Sequence, residues 1–416
     1  MNSKLRIGCV ADDFTGASDA ASFMVAGGLR TVLVNGIPEP AAIPGDFDAV
    51  VIALKSRTQE TGAAVADSLA AFDWLRAAGA ETLYLKYCST FDSTPQGNIG
   101  PVIDAVLDRY DVPYTVVCPS LLVNKRSVRD GVLYVGDVPL AESHMKNHPL
   151  TPMWDSDICK LLQPQGKYPC FRVTPAELAD TAALDAKIAD FSVKNKRFYL
   201  VPDYFEPEHG RQIAAYFAKL AFLTGGSGLC GDLAAFFSNN GSAAAYRLAP
   251  TAEPLPRVIV AGSCSVATRG QVKNYLEAGG AAMEVEPGKL GSGGQDMEML
   301  EAFLKRNAGN DVLFYSSGSA GSLKGCAPDP ADADRLERTL AALAVKAVEN
   351  GCRRLVAAGG ETSGAVTQAL GHKAFFIGAS AAPGVPIMVP TDRPELALVL
   401  KSGNFGDEKF FLTALR

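Results

Sequence analysis

Apolar runs of five or six residues recur along this chain, and its polar groups gather where those runs stop. Residues 5–10 form the first run, short enough to be a buried strand. The carboxylates Asp12 and Asp13 follow, then a Thr-Gly turn, then Ala17, Ala20, Ala21 and Met24. That i, i+3, i+4, i+7 stripe predicts a helix, and Gly27-Gly28 predicts its end. Further strands are expected at 31–34, 49–54, 82–87, 114–118 and 198–201, with helices over 61–78 and from Gly100-Pro101 onward. Residues 49–54 are apolar without alternation, as a strand covered on both faces requires. Residues 131–140 read as a hairpin and 144–153 as an irregular loop. Alternation of strand and helix predicts an α/β fold in which mostly parallel sheets are flanked by helices.

In such sheets, ligands bind outside the carboxyl ends of the strands. Successive strand ends here carry Asp12 and Asp13, then Lys55, Ser56 and Arg57, then Lys86 with Asp92 and Ser93 in the loop beyond. Two adjacent carboxylates repel if both are ionised, and a helix cap needs only one. Cations at this edge would hold a carboxylate, and carboxylates would hold hydroxyls. The expected ligand is therefore small, polyhydroxylated and anionic. A self-neutralising solvated rim, with one Asp as a helix cap, is the bland alternative.

Near residue 250 the texture changes. Pro250, Pro254 and Pro256 crowd a short span, which predicts an extended linker and a domain boundary, with domains over 1–249 and 250–416. The second domain repeats a different device. Apolar runs at 258–261, 312–315, 355–358 and 396–400 lead into Gly- and Ser-rich turns. The turns are Gly262-Ser263-Cys264-Ser265, Ser316-Ser317-Gly318-Ser319, Gly359-Gly360-Glu361-Thr362-Ser363-Gly364 and Lys401-Ser402-Gly403-Asn404-Phe405-Gly406. Such turns at helix N-termini expose N–H groups to an anion, so a phosphate-bearing ligand is expected. At Gly360, the absence of a side chain and access to positive φ would let the backbone approach a phosphate. The chain has no GxxxxGK[ST] motif. Gly226-Ser227-Gly228-Leu229-Cys230-Gly231 matches GxGxxG but follows a helix-like stretch over 212–223, so it is set aside as a dinucleotide site.

Composition narrows the class. The 416 residues include 48% hydrophobic and 20% charged positions, with a net charge of -6, which argues against a nucleic-acid partner. No apolar run reaches membrane length. Nine scattered cysteines fit reduced thiols in a cytoplasmic enzyme, and four histidines without a CxxC pair argue against zinc. The partner expected is a small molecule, and a homo-oligomer is left open.

The run Ala11-Asp12-Asp13-Phe14-Thr15-Gly16-Ala17-Ser18-Asp19 resembles the opening signature of the four-carbon acid sugar kinases. Lys86-Tyr87-Cys88-Ser89-Thr90-Phe91-Asp92-Ser93-Thr94, then Gly97-Asn98-Ile99-Gly100, resembles their 3-oxo-tetronate branch. His148-Pro149-Leu150-Thr151-Pro152-Met153 and the Gly359–Gly364 turn are similar to the same family. The chain departs from it at Asn124-Lys125-Arg126-Ser127, where Asn-Gly-Arg-Thr is expected. The resemblance implies an acid-sugar domain followed by an ATP domain, with the active site in the interdomain cleft. By position it implies Asp12, Lys55, Ser56, Arg57, Lys86, Asp92 and Ser93 for the substrate. For ATP it implies Ser263, Ser265, Gly359, Gly360, Glu361, Thr362 and Gly403.

The expected reaction is ATP-dependent phosphorylation of the C4 hydroxyl of a four-carbon acid sugar, 3-oxo-tetronate first, with threonate or erythronate as alternatives. Asp12 or Asp13 would take or orient the hydroxyl proton. Lys55, Arg57 and Lys86 would hold the substrate carboxylate, or one of them would turn toward the transferring phosphoryl group. Magnesium would bridge the phosphates with few protein ligands, so no residue is named for it. A lyase or aldolase using Lys86 as a Schiff-base amine and a non-catalytic effector-binding protein are the rivals from other classes.

Overall fold

In the computed structural model, the residues described are 5–39, 46–148, 151–239, 241, 245–247, 255–290, 295–316 and 330–415. The chain divides into two units, Met1–Ala245 and Tyr246–Arg416. The first is built on eight strands: β1 (Ile7–Ala11), β2 (Thr31–Asn35), β3 (Ala49–Ala53), β4 (Thr82–Lys86), β5 (Tyr114–Cys118), β9 (Cys170–Val173), β10 (Phe198–Pro202) and β11 (Phe222–Gly225). They lie in the order β2-β3-β1-β4-β11-β5-β10-β9, and every neighbouring pair is parallel. All five residues of β1 and of β3 are buried, as expected for strands covered by helices on both faces. The helix Phe14–Ala26 presents Ala17, Ala20, Ala21 and Met24 to this core, each with no exposed surface, and ends at Gly27.

The hairpin expected at 131–140 is part of a three-stranded antiparallel sheet. Its strands are β6 (Arg126–Arg129), β7 (Val132–Val135) and β8 (Val138–Pro139). In the second unit, β12 (Arg257–Ala261), β13 (Ala281–Val285), β14 (Val312–Ser316), β15 (Arg354–Ala358) and β18 (Ala397–Lys401) are parallel, in the order β13-β14-β12-β15-β18. The antiparallel strands β17 (Val385–Pro390) and β16 (Ala374–Ala382) extend this sheet beyond β18. Both units are therefore mostly parallel sheets flanked by helices. Most of the expected linker, together with Ser317, Gly318, Ser319, Pro149 and Leu150, lies outside the described residues. Among the described residues no helix is long and apolar enough to cross a membrane.

Two expectations need correction. Cys159 and Cys170 form a disulfide joining the helix Ile158–Leu162 to β9, with Cα atoms 5.6 Å apart, so the thiols are not all free. Cysteine spacing alone could not announce this pair, because packing of strand and helix sets the approach. The glycine-rich run 226–231 does follow a strand, β11, and opens the helix Ser227–Phe237. The preceding helix, Pro207–Phe217, ends earlier than its apolar spacing suggests. Even so, these glycines serve packing. A Cβ on Gly226 would stand 2.6 Å from the Pro119 carbonyl oxygen, and one on Gly228 2.5 Å from that of Ser120.

Gly228→Ala should therefore cost about 1–3 kcal/mol of stability, the usual penalty of overpacking, in urea unfolding. Nucleotide affinity should be unchanged. Lost nucleotide affinity at full stability would restore the dinucleotide reading.

Candidate active site

Register assembles the first unit's site. Ala11 at the end of β1 pairs with Ala53 of β3 on one side and Lys86 of β4 on the other. The residues that follow these three strands emerge together: the Asp12 amide donates to the Lys86 carbonyl at 3.1 Å, and the Arg57 amide to the Asp12 carbonyl at 3.3 Å. The Arg57 guanidinium then grips both acids. Its Nε and Nη2 donate to the two Asp12 oxygens at 2.9 and 2.8 Å, and Nη2 also reaches Asp13 Oδ1 at 2.7 Å.

The two carboxylates are not equivalent. Burial pushes the Asp12 carboxyl above its ordinary value, and Arg57 only partly offsets this. Burial pushes Asp13 up as well, but Arg57, Lys86 and hydrogen bonds from Thr15 Oγ1 and the Gly16 amide outweigh it and hold Asp13 below that range. Asp13 is also the N-cap of the helix Phe14–Ala26. The capping role is thus real for Asp13, and Asp12 takes no part in the cap.

A pocket opens beside Asp12, with about 310 Å³ of space free of protein atoms when the open solvent at its mouth is counted. Of the residues expected for the substrate, Asp12, Ser56, Arg57, Asp92 and Ser93 line it, among apolar walls that include Leu85, Tyr87 and Val102. Asp13, Lys55 and Lys86 are not part of its lining. Lys55 is exposed. Since Leu85 and Tyr87 face the pocket, alternation along β4 turns Lys86 the other way, under the helix Phe14–Ala26. A Cβ on Gly16 would lie 3.1 Å from its Nζ. Burial pulls the Lys86 ammonium down, but Asp19, Asp13 and Asp12 more than reverse this and keep it charged. A Schiff-base lysine needs the neutral amine, so this environment opposes the lyase reading. Asp19, which accepts a hydrogen bond from Ser227 Oγ, is pushed up by burial to about 6.

Three features of the site were not assigned from sequence. Asn98 lines the pocket and clamps the loop after β3: its Nδ2 donates to the Ser56 and Gln59 carbonyls at 2.7 and 2.8 Å, and its Oδ1 accepts from Thr61 Oγ1 at 2.9 Å. Phe91 is fully buried at φ 52°, edge-on to Tyr87 at 5.5 Å. That conformation costs a bulky residue on the order of 1–3 kcal/mol and is tolerated where surroundings enforce it. Here it turns the chain so that Asp92 and Ser93 reach the pocket. Lys125, standing where glycine is expected, adopts φ 58° with its side chain exposed, so it keeps the glycine conformation. The aromatic carries no sequence signal for positive φ, and the lysine carries one only through the glycine that the resemblance expects at its position.

In the second unit the same logic of register gathers the glycine turns. Ala358 at the end of β15 pairs with Ala261 of β12 and Lys401 of β18. Gly359 has φ 125°, and a Cβ there would lie 3.2 Å from Ser263 Cβ. A Cβ on Gly403 would lie 2.5 Å from Ser263 Oγ. The positive φ expected at Gly360 belongs to Gly359; Gly360 is the first residue of the helix Gly360–Leu370 and faces open space. Among the described residues no side chain caps that helix, which leaves its first N–H groups for an anion. Thr362 is buried and Glu361 exposed in the same turn. Ser265 caps the helix Val266–Glu277 and donates its hydroxyl to the Gly403 carbonyl at 2.6 Å.

Lys401, fully buried, completes this arrangement from beneath. Its Nζ donates to Thr268 Oγ1 at 3.0 Å and to the Ser402 and Gly403 carbonyls at 3.1 and 2.9 Å. The Gly403 oxygen thereby accepts from Ser265, Thr268 and Lys401 together. Burial pulls the Lys401 ammonium down to about 7. A depressed lysine leaves the unfolded chain holding more protons than the native one from about 7 up to the ordinary lysine range, so its contribution rises with pH there. Wild type should gain stability over Lys401→Met by at most about 1.4 kcal/mol per pH unit in that window. Paired urea titrations measure the difference, and one independent of pH would contradict it.

Comparison with known proteins agrees with this division. Residues 7–233 match the model of a sugar-binding N-terminal domain, and residues 258–411 that of a nucleotide-binding C-terminal domain. A protein of Pseudomonas savastanoi pv. phaseolicola named 3-oxo-tetronate kinase is 41% identical, over 100% of this chain and 98% of its own. One of Cupriavidus necator with the same name is 42% identical, over 99% and 96%. The crystal structure of a Haemophilus influenzae protein is similar with a TM-score of 0.80 and 37% identity, covering 98% of both chains. The chain belongs to the four-carbon acid sugar kinase family.

Proposed function

We propose that this protein transfers the γ-phosphoryl group of ATP to the C4 hydroxyl of a 3-oxo-tetronate, residues 1–249 holding the acid sugar and 250–416 the nucleotide. The observation that carries the proposal is Asp12: a carboxylate in a pocket of a sugar-binding domain, gripped by Arg57 and freed from capping by its neighbour. Asp12 accepts the hydroxyl proton as the O4–P bond forms and the bond from the γ-phosphorus to the bridging oxygen breaks, releasing ADP. Its raised pKa suits a base at neutral pH, while Arg57 keeps it ionised before transfer. Ser56, Asp92 and Ser93 hydrogen-bond the substrate hydroxyls. Lys86 supplies positive charge from behind, and Lys55 stands at the rim. Phosphoryl transfer asks chiefly for in-line positioning and charge neutralisation, which this set offers.

The nucleotide phosphates rest on the turns of Ser263, Ser265, Gly359, Gly360, Thr362 and Gly403, where amides and hydroxyls converge without side-chain obstruction. Magnesium would travel with the nucleotide, held mainly by phosphate oxygens and water, and Glu361 is the carboxylate beside these turns. Use of ATP supports a cytoplasmic location.

A coupled ADP-release assay over four-carbon acids tests the reading. Asp12→Asn should lower kcat by about 100-fold or more, the usual worth of a positioned base. Asp13→Asn should lose less in turnover and about 1 kcal/mol in stability, as a weakened cap does. Full turnover by Asp12→Asn, or no turnover of any four-carbon acid by wild type, would contradict the proposal.

A further inference from the structure

The residues that grip Asp12 leave a question about the substrate's own charge. Arg57 commits Nε and Nη2 to Asp12 and Asp13, so its charge is already matched by two carboxylates. Lys86 faces away from the pocket among three aspartates, and Lys55 is exposed. Neither the arginine nor the lysines present a half-buried, unmatched positive charge to an incoming anion.

Arg126 does. It begins β6, in the connection that leaves the carboxyl end of β5, the same edge of the parallel sheet from which Asp12 and Arg57 follow their strands. Its backbone is fixed by reciprocal hydrogen bonds with Leu121, at 3.1 and 2.9 Å. One guanidinium nitrogen, Nη1, donates to the Asn124 carbonyl. Nε is buried and has no partner, and among the described residues Arg126 makes no ion pair. The charged or chargeable groups that act on it are Cys88 and Asp92, both from the loop that carries the pocket lining. Asp92 Oδ1 is occupied by Thr90 Oγ1 at 2.6 Å. Burial disfavours this guanidinium's charge, so an anion arriving beside it gains from neutralising it. The fork of a guanidinium also fits a carboxylate in geometry, with two parallel donors.

We propose that Arg126 is the specificity residue that receives the carboxylate of the acid sugar, through a half-buried guanidinium whose Nε has no partner, beside the loop that carries Asp92. This rests on the kinase reading above and deepens it. Asp12 and Arg57 then address the hydroxyl that reacts, and Arg126 the acid group that distinguishes a sugar acid from a sugar. The left-handed turn at Lys125 is what sets Arg126 at the start of β6 pointing back along the loop to Asn124.

The test compares 3-oxo-tetronate with erythrulose, in which a CH2OH replaces the carboxylate. Arg126→Met should raise KM for the acid about ten- to a hundred-fold, the worth of a charge-assisted contact, and leave kcat for the acid, KM for ATP and erythrulose turnover unchanged. Arg126→Lys, which keeps the charge and loses the fork, should fall between. Urea unfolding of both variants separates a folding defect from a binding one. Isothermal titration with erythronate, without ATP, isolates this claim from the kinase reading: wild type should bind and Arg126→Met should bind at least tenfold more weakly. Equal affinities, no erythronate binding by wild type, or an equal loss on acid and erythrulose would overturn the role of Arg126. Selective erythronate binding with no phosphoryl transfer would instead overturn the kinase reading alone.

Discussion

One guanidinium shared by two adjacent carboxylates is the contact on which the sugar-binding unit turns. Asp12 and Asp13 could not both stay ionised at the end of a buried strand without it. Removing one partner of such a buried set typically costs about 3–5 kcal/mol, because the remaining charge loses its compensation. Much of the surrounding structure serves to place that guanidinium. The parallel register of β1, β3 and β4 brings the three strand ends side by side. Asn98 then fixes the loop that bears Arg57 by holding the carbonyls of Ser56 and Gln59. The division of labour between the acids follows from the same geometry. Asp13 is drawn down into a cap, and Asp12 is left raised and facing the pocket.

The second unit solves a different electrostatic problem with fewer charges. Its turns offer amides and hydroxyls rather than side-chain cations, and glycine is required where Gly359 takes φ 125° against Ser263. The carbonyl of Gly403 is tied inward by three donors, one of them the buried Lys401. A peptide whose oxygen is held inward presents its other side outward, which is the orientation an anion-binding turn needs. Both units thus use strand register to converge short loops, one around carboxylates and the other around backbone dipoles.

Much of this was legible in the sequence. Apolar runs located the strands because buried parallel strands leave few other patterns. The expected positions Asp12, Ser56, Arg57, Asp92 and Ser93 converge because each follows a strand end at the same edge. Lys86 follows the rule less well: it is the last residue of β4 rather than part of the loop, so alternation sends it to the opposite face from Leu85 and Tyr87. Contacts distant in sequence carried no signal. Asn98 acts on a loop about forty residues earlier, and Lys401 on Thr268 more than a hundred residues away. Gly226 and Gly228 misled because β11 is only four residues long and merges into a helical spacing. The Cys159–Cys170 bond was invisible because proximity depends on how a short helix packs on an edge strand.

The central claim, that Arg57 draws both carboxyls down while burial of Asp12 and the capping contacts of Asp13 keep them in different ionisation ranges, is open to direct measurement. Carboxyl 13C chemical shifts of labelled aspartate, followed through an acid titration of wild type and Arg57→Met, report each group by itself. The account predicts that Asp12 titrates above the ordinary carboxylate range and Asp13 below it, and that both move upward when Arg57 is replaced. Two aspartates titrating together at an ordinary value, indifferent to Arg57, would contradict it.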